Sequence, residues 1–131
     1  LFRTRTFKKN VREYIRGIIM FNKEVRVFLK DQAKEAFIEL KKRSDKESKT
    51  LSNSIERIFN ILKQNPQYGN PIKKELIPKS ITNLGIKNIY RVELSNYWRM
   101  LYTLEGNKIE ILIFVLNIVD HKEYNKLFGY K

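Results

Sequence analysis

The hydrophobic pattern changes period several times along the chain. In "MFNKEVRVFL" (20–29), Val25, Val27 and Leu29 recur at every second position against the charged Lys23, Glu24 and Arg26, the period-two pattern of a strand. "DQAKEAFIELKKR" (31–43) switches to helical spacing, with Ala33, Ala36, Phe37 and Leu40 on one face and Asp31 standing where an N-cap belongs. After the polar break "SDKESKT" (44–50), Leu51, Ile55, Ile58, Phe59 and Leu62 follow at offsets of 4, 7, 8 and 11. This second helix has to stop near Asn65-Pro66, because proline disfavours helical geometry at the residue before it. Two amphipathic helices joined by a short polar link predict a helical hairpin.

"NPQYGNPIKKELIPKSI" (65–81) holds all three prolines and a glycine, so it reads as a substantial loop or a short irregular excursion that exposes Lys73, Lys74 and Lys79. Three strands are predicted next, at 88–94, 98–104 and 109–117, separated by the turn-like "SNY" and "EGNK". They make an antiparallel meander, and the last is so apolar that the helix pair has to cover at least one of its faces. Asp120 and Glu123 are spaced as N-cap and N3 of a short helix that runs through Phe128 before Gly129. The predicted class is α+β in one domain over residues 20–131: an N-terminal strand, a helical hairpin, a three-stranded antiparallel meander and a short C-terminal helix.

Residues 1–19 stand apart as a basic extension, an arm or accessory helix, or translation from an alternative start, with six Lys or Arg and one Glu. They lack the apolar segment and small-residue cleavage site of a secretion signal. The longest apolar run, "IEILIFVLNIV" (109–119), falls short of the ~20 residues a spanning helix needs. The expectation is a cytoplasmic protein with no membrane contact.

Charge changes the picture. The 131 residues carry 27 Lys and Arg against 14 Asp and Glu, a net +13 on a chain that is still 42% hydrophobic. This is the composition of a folded basic domain, and attraction to a polyanion such as nucleic acid is the usual compensation for such self-repulsion. A generally lysine-rich proteome is the competing explanation. Cysteine is absent, which excludes disulfides, a thiolate nucleophile and Cys-containing zinc sites. The single histidine, His121, excludes a His-rich metal site, so no metal and no cofactor is expected. His121 is either the polar first residue of the closing helix or a proton-transfer group, since histidine's ordinary pKa of ~6.5 suits both giving and taking protons near neutrality.

The segments "YRVELSNYWRMLY" (90–102), "VDHKEY" (119–124) and, more loosely, "GNPIKKEL" (69–76) together resemble the RelE/ParE superfamily of toxin-antitoxin toxins, closest to its RelE/YoeB/HigB-like mRNA interferases. The resemblance covers residues 20–131. It implies a ribosome-dependent endoribonuclease that cuts translated mRNA by 2′-hydroxyl attack on the scissile phosphate without metal. Its implied partners are the ribosome, mRNA and a cognate acidic antitoxin that forms a hetero-oligomer with it. Arg99 occupies the place of the family's most characteristic arginine, which implies a catalytic role, and its planar guanidinium suits phosphate; the competing reading is a surface arginine that snorkels over the sheet or pairs with Glu93 or Glu110. The tail cluster implies catalytic roles for His121, Lys122 and Tyr124. His121 and Tyr124, three apart, share a helix face; Tyr124 would stack on a splayed base or donate a proton, and Lys122 would stabilise phosphate. Where some family members carry Arg, Lys122 loses bidentate phosphate binding. Glu75, similar to a glutamate that some relatives carry in this loop, is a candidate base, with a surface glutamate amid lysines as the favoured reading. Lys73, Lys74 and Lys79 are expected backbone contacts to RNA, joined by Arg91 if it faces the same side of the sheet as Arg99. Two alternatives are a ParE-like toxin that inhibits DNA gyrase by protein contacts and a non-catalytic basic nucleic-acid-binding domain.

Overall fold

The computed structural model describes residues 24–106 and 110–130. The basic extension at 1–19, the start of the predicted first strand and the turn within "EGNK" lie outside the described residues. Strands β1 (Glu24–Leu29), β2 (Asn70–Pro71), β3 (Tyr90–Glu93), β4 (Trp98–Gly106) and β5 (Glu110–Asp120) form one sheet in the order β1-β5-β4-β3-β2. The helices are α1 (Asp31–Lys41), α2 (Lys46–Gln64), the short α3 (Lys79–Thr82) and α4 (His121–Phe128). The α+β class stands, and β3, β4 and β5 pair antiparallel as the meander requires. The sheet is larger and mixed, however: β1 joins β5 in parallel, Glu24 opposite Glu110 through Leu29 opposite Val115, and β2 adds a second edge against β3.

Each face of the sheet has its own core. On one, Ala33 of α1 and Leu51, Ile55, Ile58 and Leu62 of α2 pack against Val92, Met100, Tyr102, Ile113, Val115 and Ile118. On the other, Leu101 and Val119 are covered by Ile77, Ile81 and Ile89 of the 72–89 segment and by Tyr124 of α4. Neighbours in β4 therefore belong to opposite cores, as strand alternation dictates. A bulge at Leu101/Tyr102, where Leu101 pairs with Asn117 but Tyr102 with Val115, puts one extra residue in β5, so Val115 and Ile118, three apart, reach the same core.

Local chemistry sets the boundaries. α2 starts earlier than its apolar pattern shows: Asp45 caps it by accepting from Ser48 N at 3.0 Å and Ser48 Oγ at 2.9 Å, so most of the polar break is helical. These hydrogen bonds to Ser48 also hold the Asp45 carboxyl below its usual pKa. Asp31 is not the cap of α1; Lys30 occupies that position, and Asp31 is the first helical residue, where its charge still suits the helix N-terminus. Past Val115 the outer edge of β5 has no strand beside it, and Gln32 takes that place: its amide donates to Ile118 O at 3.2 Å and accepts from Ile118 N at 3.1 Å. The Pro-rich loop after α2 is pinned by Tyr102, whose hydroxyl donates to Pro66 O at 2.7 Å and accepts from Gly69 N at 2.9 Å. A Cβ at Gly69 would stand 2.9 Å from the Tyr102 ring and 3.1 Å from Arg91 O, so this approach requires glycine.

Candidate functional site

Cross-strand register builds the site. Glu93 lies opposite Arg99, and Arg91 lies opposite Leu101, so Arg91, Glu93, Arg99 and Leu101 share the sheet face away from the helical hairpin. Arg99 Nε donates to Glu93 Oε1 at 3.2 Å, while Arg91 Nε stands 3.2 Å from Glu93 Oε2. The second contact is an ion pair without hydrogen-bond geometry, which leaves the buried Arg91 Nε without a hydrogen-bond partner. Both guanidiniums are partly covered, with side-chain exposures of 33% for Arg91 and 23% for Arg99.

Tyr124 is the floor under this pair. Arg99 lies over its ring, 4.5 Å from the centroid, and Arg91 Nη1 donates to its hydroxyl at 3.2 Å. The Tyr124 hydrogen bond is the main influence raising the Arg91 pKa, against partial burial that lowers it, so this guanidinium is held firmly cationic. Tyr124 is fixed in turn by α4. Asp120 caps that helix by accepting from Glu123 N at 2.9 Å, Gly129 ends it at φ 75°, and the Tyr124 ring stacks on Phe128 with centroids 4.4 Å apart. With Tyr124 only 3% exposed and its ring packed between Arg99 and Phe128, no base can stack on it as the side chains stand. Its hydroxyl and its role as a platform for arginines are what the geometry leaves.

His121 is the first residue of α4 and is exposed. Because Trp98 pairs with Asp120 and Arg99 with Val119, His121 and Arg99 sit at the same end of the sheet. Among the described residues no hydrogen bond joins them; Tyr124, which Arg99 does meet, is one helical turn beyond His121. The imidazole instead meets the ring of Tyr97 edge-on, with centroids 6.0 Å apart. Tyr97 is 76% exposed and has φ 64°, in a turn where Asn96 is also left-handed at φ 56°.

Among the described residues, the remaining predicted residues make no hydrogen bond or ion pair with this cluster. Lys122 is exposed on α4. Lys73 precedes, and Lys74 and Glu75 open, a single 3₁₀ turn (Lys74–Leu76), and Lys79 begins α3; all four are exposed. Their segment packs on the same sheet face as Tyr124 through Ile72, Ile77 and Ile81. Of the two carboxylates weighed as partners for Arg99, Glu93 is the one it meets, and Glu110 lies 3.8 Å from Arg26. Sequence reasoning missed Tyr97 because "SNY" reads only as a turn, and nothing in it marks a tyrosine as left-handed. Among the described residues no three His, Cys, Asp or Glu side chains gather to hold a metal ion, and no helix is long and apolar enough to cross a membrane. No family model matches the chain, and neither does any curated protein or solved structure.

Proposed function

We propose that this chain is a ribosome-dependent mRNA endoribonuclease, the toxin of a toxin-antitoxin module. The observation that carries the reading is the pairing of Arg91 and Arg99 over Tyr124, beside an exposed histidine at the same end of the sheet. Two adjacent guanidiniums held by an aromatic platform repel each other unless an anion lies between them. Glu93, with 54% of its side chain exposed, fills that place in the free protein and is open to exchange with solvent. A phosphate displacing it would meet two planar forks and the unpaired Arg91 Nε.

In the reaction the 2′-oxygen attacks phosphorus as its proton passes to a base, the O2′–P bond forms, and the P–O5′ bond breaks as the leaving oxygen takes a proton. Arg91 and Arg99 stabilise the extra charge on the pentacoordinate phosphate. His121, exposed at the same end of the sheet, is the proton-transfer group of this reading; Glu75 stands outside the guanidinium cluster and is the weaker base candidate. Tyr124 orients the arginines. Lys73, Lys74, Lys79 and Lys122 contribute backbone attraction without sequence reading. The net +13 also suits an acidic antitoxin that wraps the basic surface in a hetero-oligomer.

Expression in a bacterial host tests the reading. Translation should stop, with mRNA cut within codons, and Arg99→Ala and His121→Ala should each abolish toxicity while circular dichroism shows the fold intact. Full toxicity from both variants would end the proposal. Filamentation with DNA damage and intact mRNA would point instead to a ParE-like gyrase inhibitor.

A further inference from the structure

An enzyme that cuts RNA within a strand has to hold the flanking bases splayed, and single-stranded bases are held mainly by stacking on aromatic faces. Tyr124 is enclosed by Arg99 and Phe128 and does not offer one. Tyr97 does. It is 76% exposed, and its ring stands edge-on to the His121 imidazole. Its backbone is left-handed at φ 64°, a conformation that a residue with a bulky Cβ adopts at a cost and that glycine or asparagine would take more easily. The turn is also tied down: Ser95 N donates to Ser54 Oγ of α2 at 3.3 Å, and Leu94 N donates to Trp98 O at 2.8 Å. A strained, anchored turn that holds an aromatic ring out in solvent beside the one histidine has no packing purpose, and strain of this kind gathers at functional positions.

We propose that Tyr97 is a nucleobase-stacking residue that holds a base of single-stranded RNA next to the scissile phosphate. The assignment rests on the RNA-cutting reading above. The test uses the full chain, the parent and the variants Tyr97→Phe, Tyr97→Gly and Tyr97→Asn, measuring cleavage of mRNA on programmed ribosomes and thermal unfolding. Phe keeps the ring and should match the parent. Gly and Asn suit the left-handed backbone, so they should unfold no lower than the parent yet raise KM by ~10-fold, with kcat and its pH profile unchanged. A KM equal to the parent's in both variants overturns the stacking role while the nuclease stands. A loss confined to kcat with a displaced pH profile also overturns it, because Tyr97 would then act through His121. A parent chain that leaves ribosome-bound mRNA intact overturns both readings together.

Discussion

Arg99 and Met100 are adjacent in β4 and face opposite environments. Met100 is fully buried among the side chains of the helical hairpin, where the only demand is dense apolar packing. Arg99 points to the other face, where the covering layer is an irregular segment and one short helix, and where two guanidiniums meet a carboxylate and a tyrosine. The hairpin face is apolar at this point, whereas the other face carries a charged cluster beside its own smaller core. The contrast teaches that in this sheet the layer that covers a face, more than the strand beneath it, decides what that face can do.

The sharpest way to break the comparison is Arg99→Ala. Cleavage should fall by about 10²–10³-fold, as when one charge-stabilising donor is removed from a catalytic site, with little change in the urea midpoint. Met100→Ala should do the reverse, costing about 3 kcal/mol of stability by equilibrium unfolding while residual folded protein retains its activity. Tyr102→Phe is next. It leaves Pro66 O and Gly69 N unpaired in the interior and should cost about 2 kcal/mol. Burial pushes the Tyr102 pKa up from 10.0 to about 12. Its contribution is thus complete below the unfolded pKa and is lost as pH rises toward the folded one. Urea unfolding between roughly pH 10 and 12 should steepen by up to ~1.4 kcal/mol per pH unit in the parent, and Tyr102→Phe should lack that component. The smallest effect is expected from Asp120→Ala. Loss of the α4 cap should lower stability by about 1 kcal/mol. Because α4 carries both His121 and Tyr124, this mild change should also reduce cleavage, and unaltered cleavage would show that the site does not depend on how α4 begins.

Much of the hairpin face was legible from pattern alone. Period two in Val25, Val27 and Leu29 and helical spacing in α1 and α2 reflect burial of one stripe against one core, a constraint that every residue on the stripe repeats. The start of α2 was less legible because a cap depends on one side chain: Asp45 and Ser48 lie inside a stretch that composition marks as a break. For the candidate site, the sequence supplied the inventory, Arg91, Arg99, His121 and Tyr124, and alternation placed Arg99 with Leu101 on one face. It did not supply the partners. Whether Arg99 would meet Glu93 or Glu110 was open, because both lie on strands of the same meander and register alone separates them.

What the sequence by itself determined is the long elements, their order and the α+β class, because each one's periodicity is a local consequence of having one side against water and the other against protein; β2 and α3, too short to show a period, read only as loop. What only the tertiary structure decided is everything that depends on contact across long separations. This includes the parallel pairing of β1 with β5, the fifth strand at the other edge and the Gln32 clamp on Ile118. It also includes the burial of Tyr124 beneath two arginines and the placement of Tyr97 beside His121. Such contacts are set by register and by the way layers close over the sheet, and neither leaves a period in the chain.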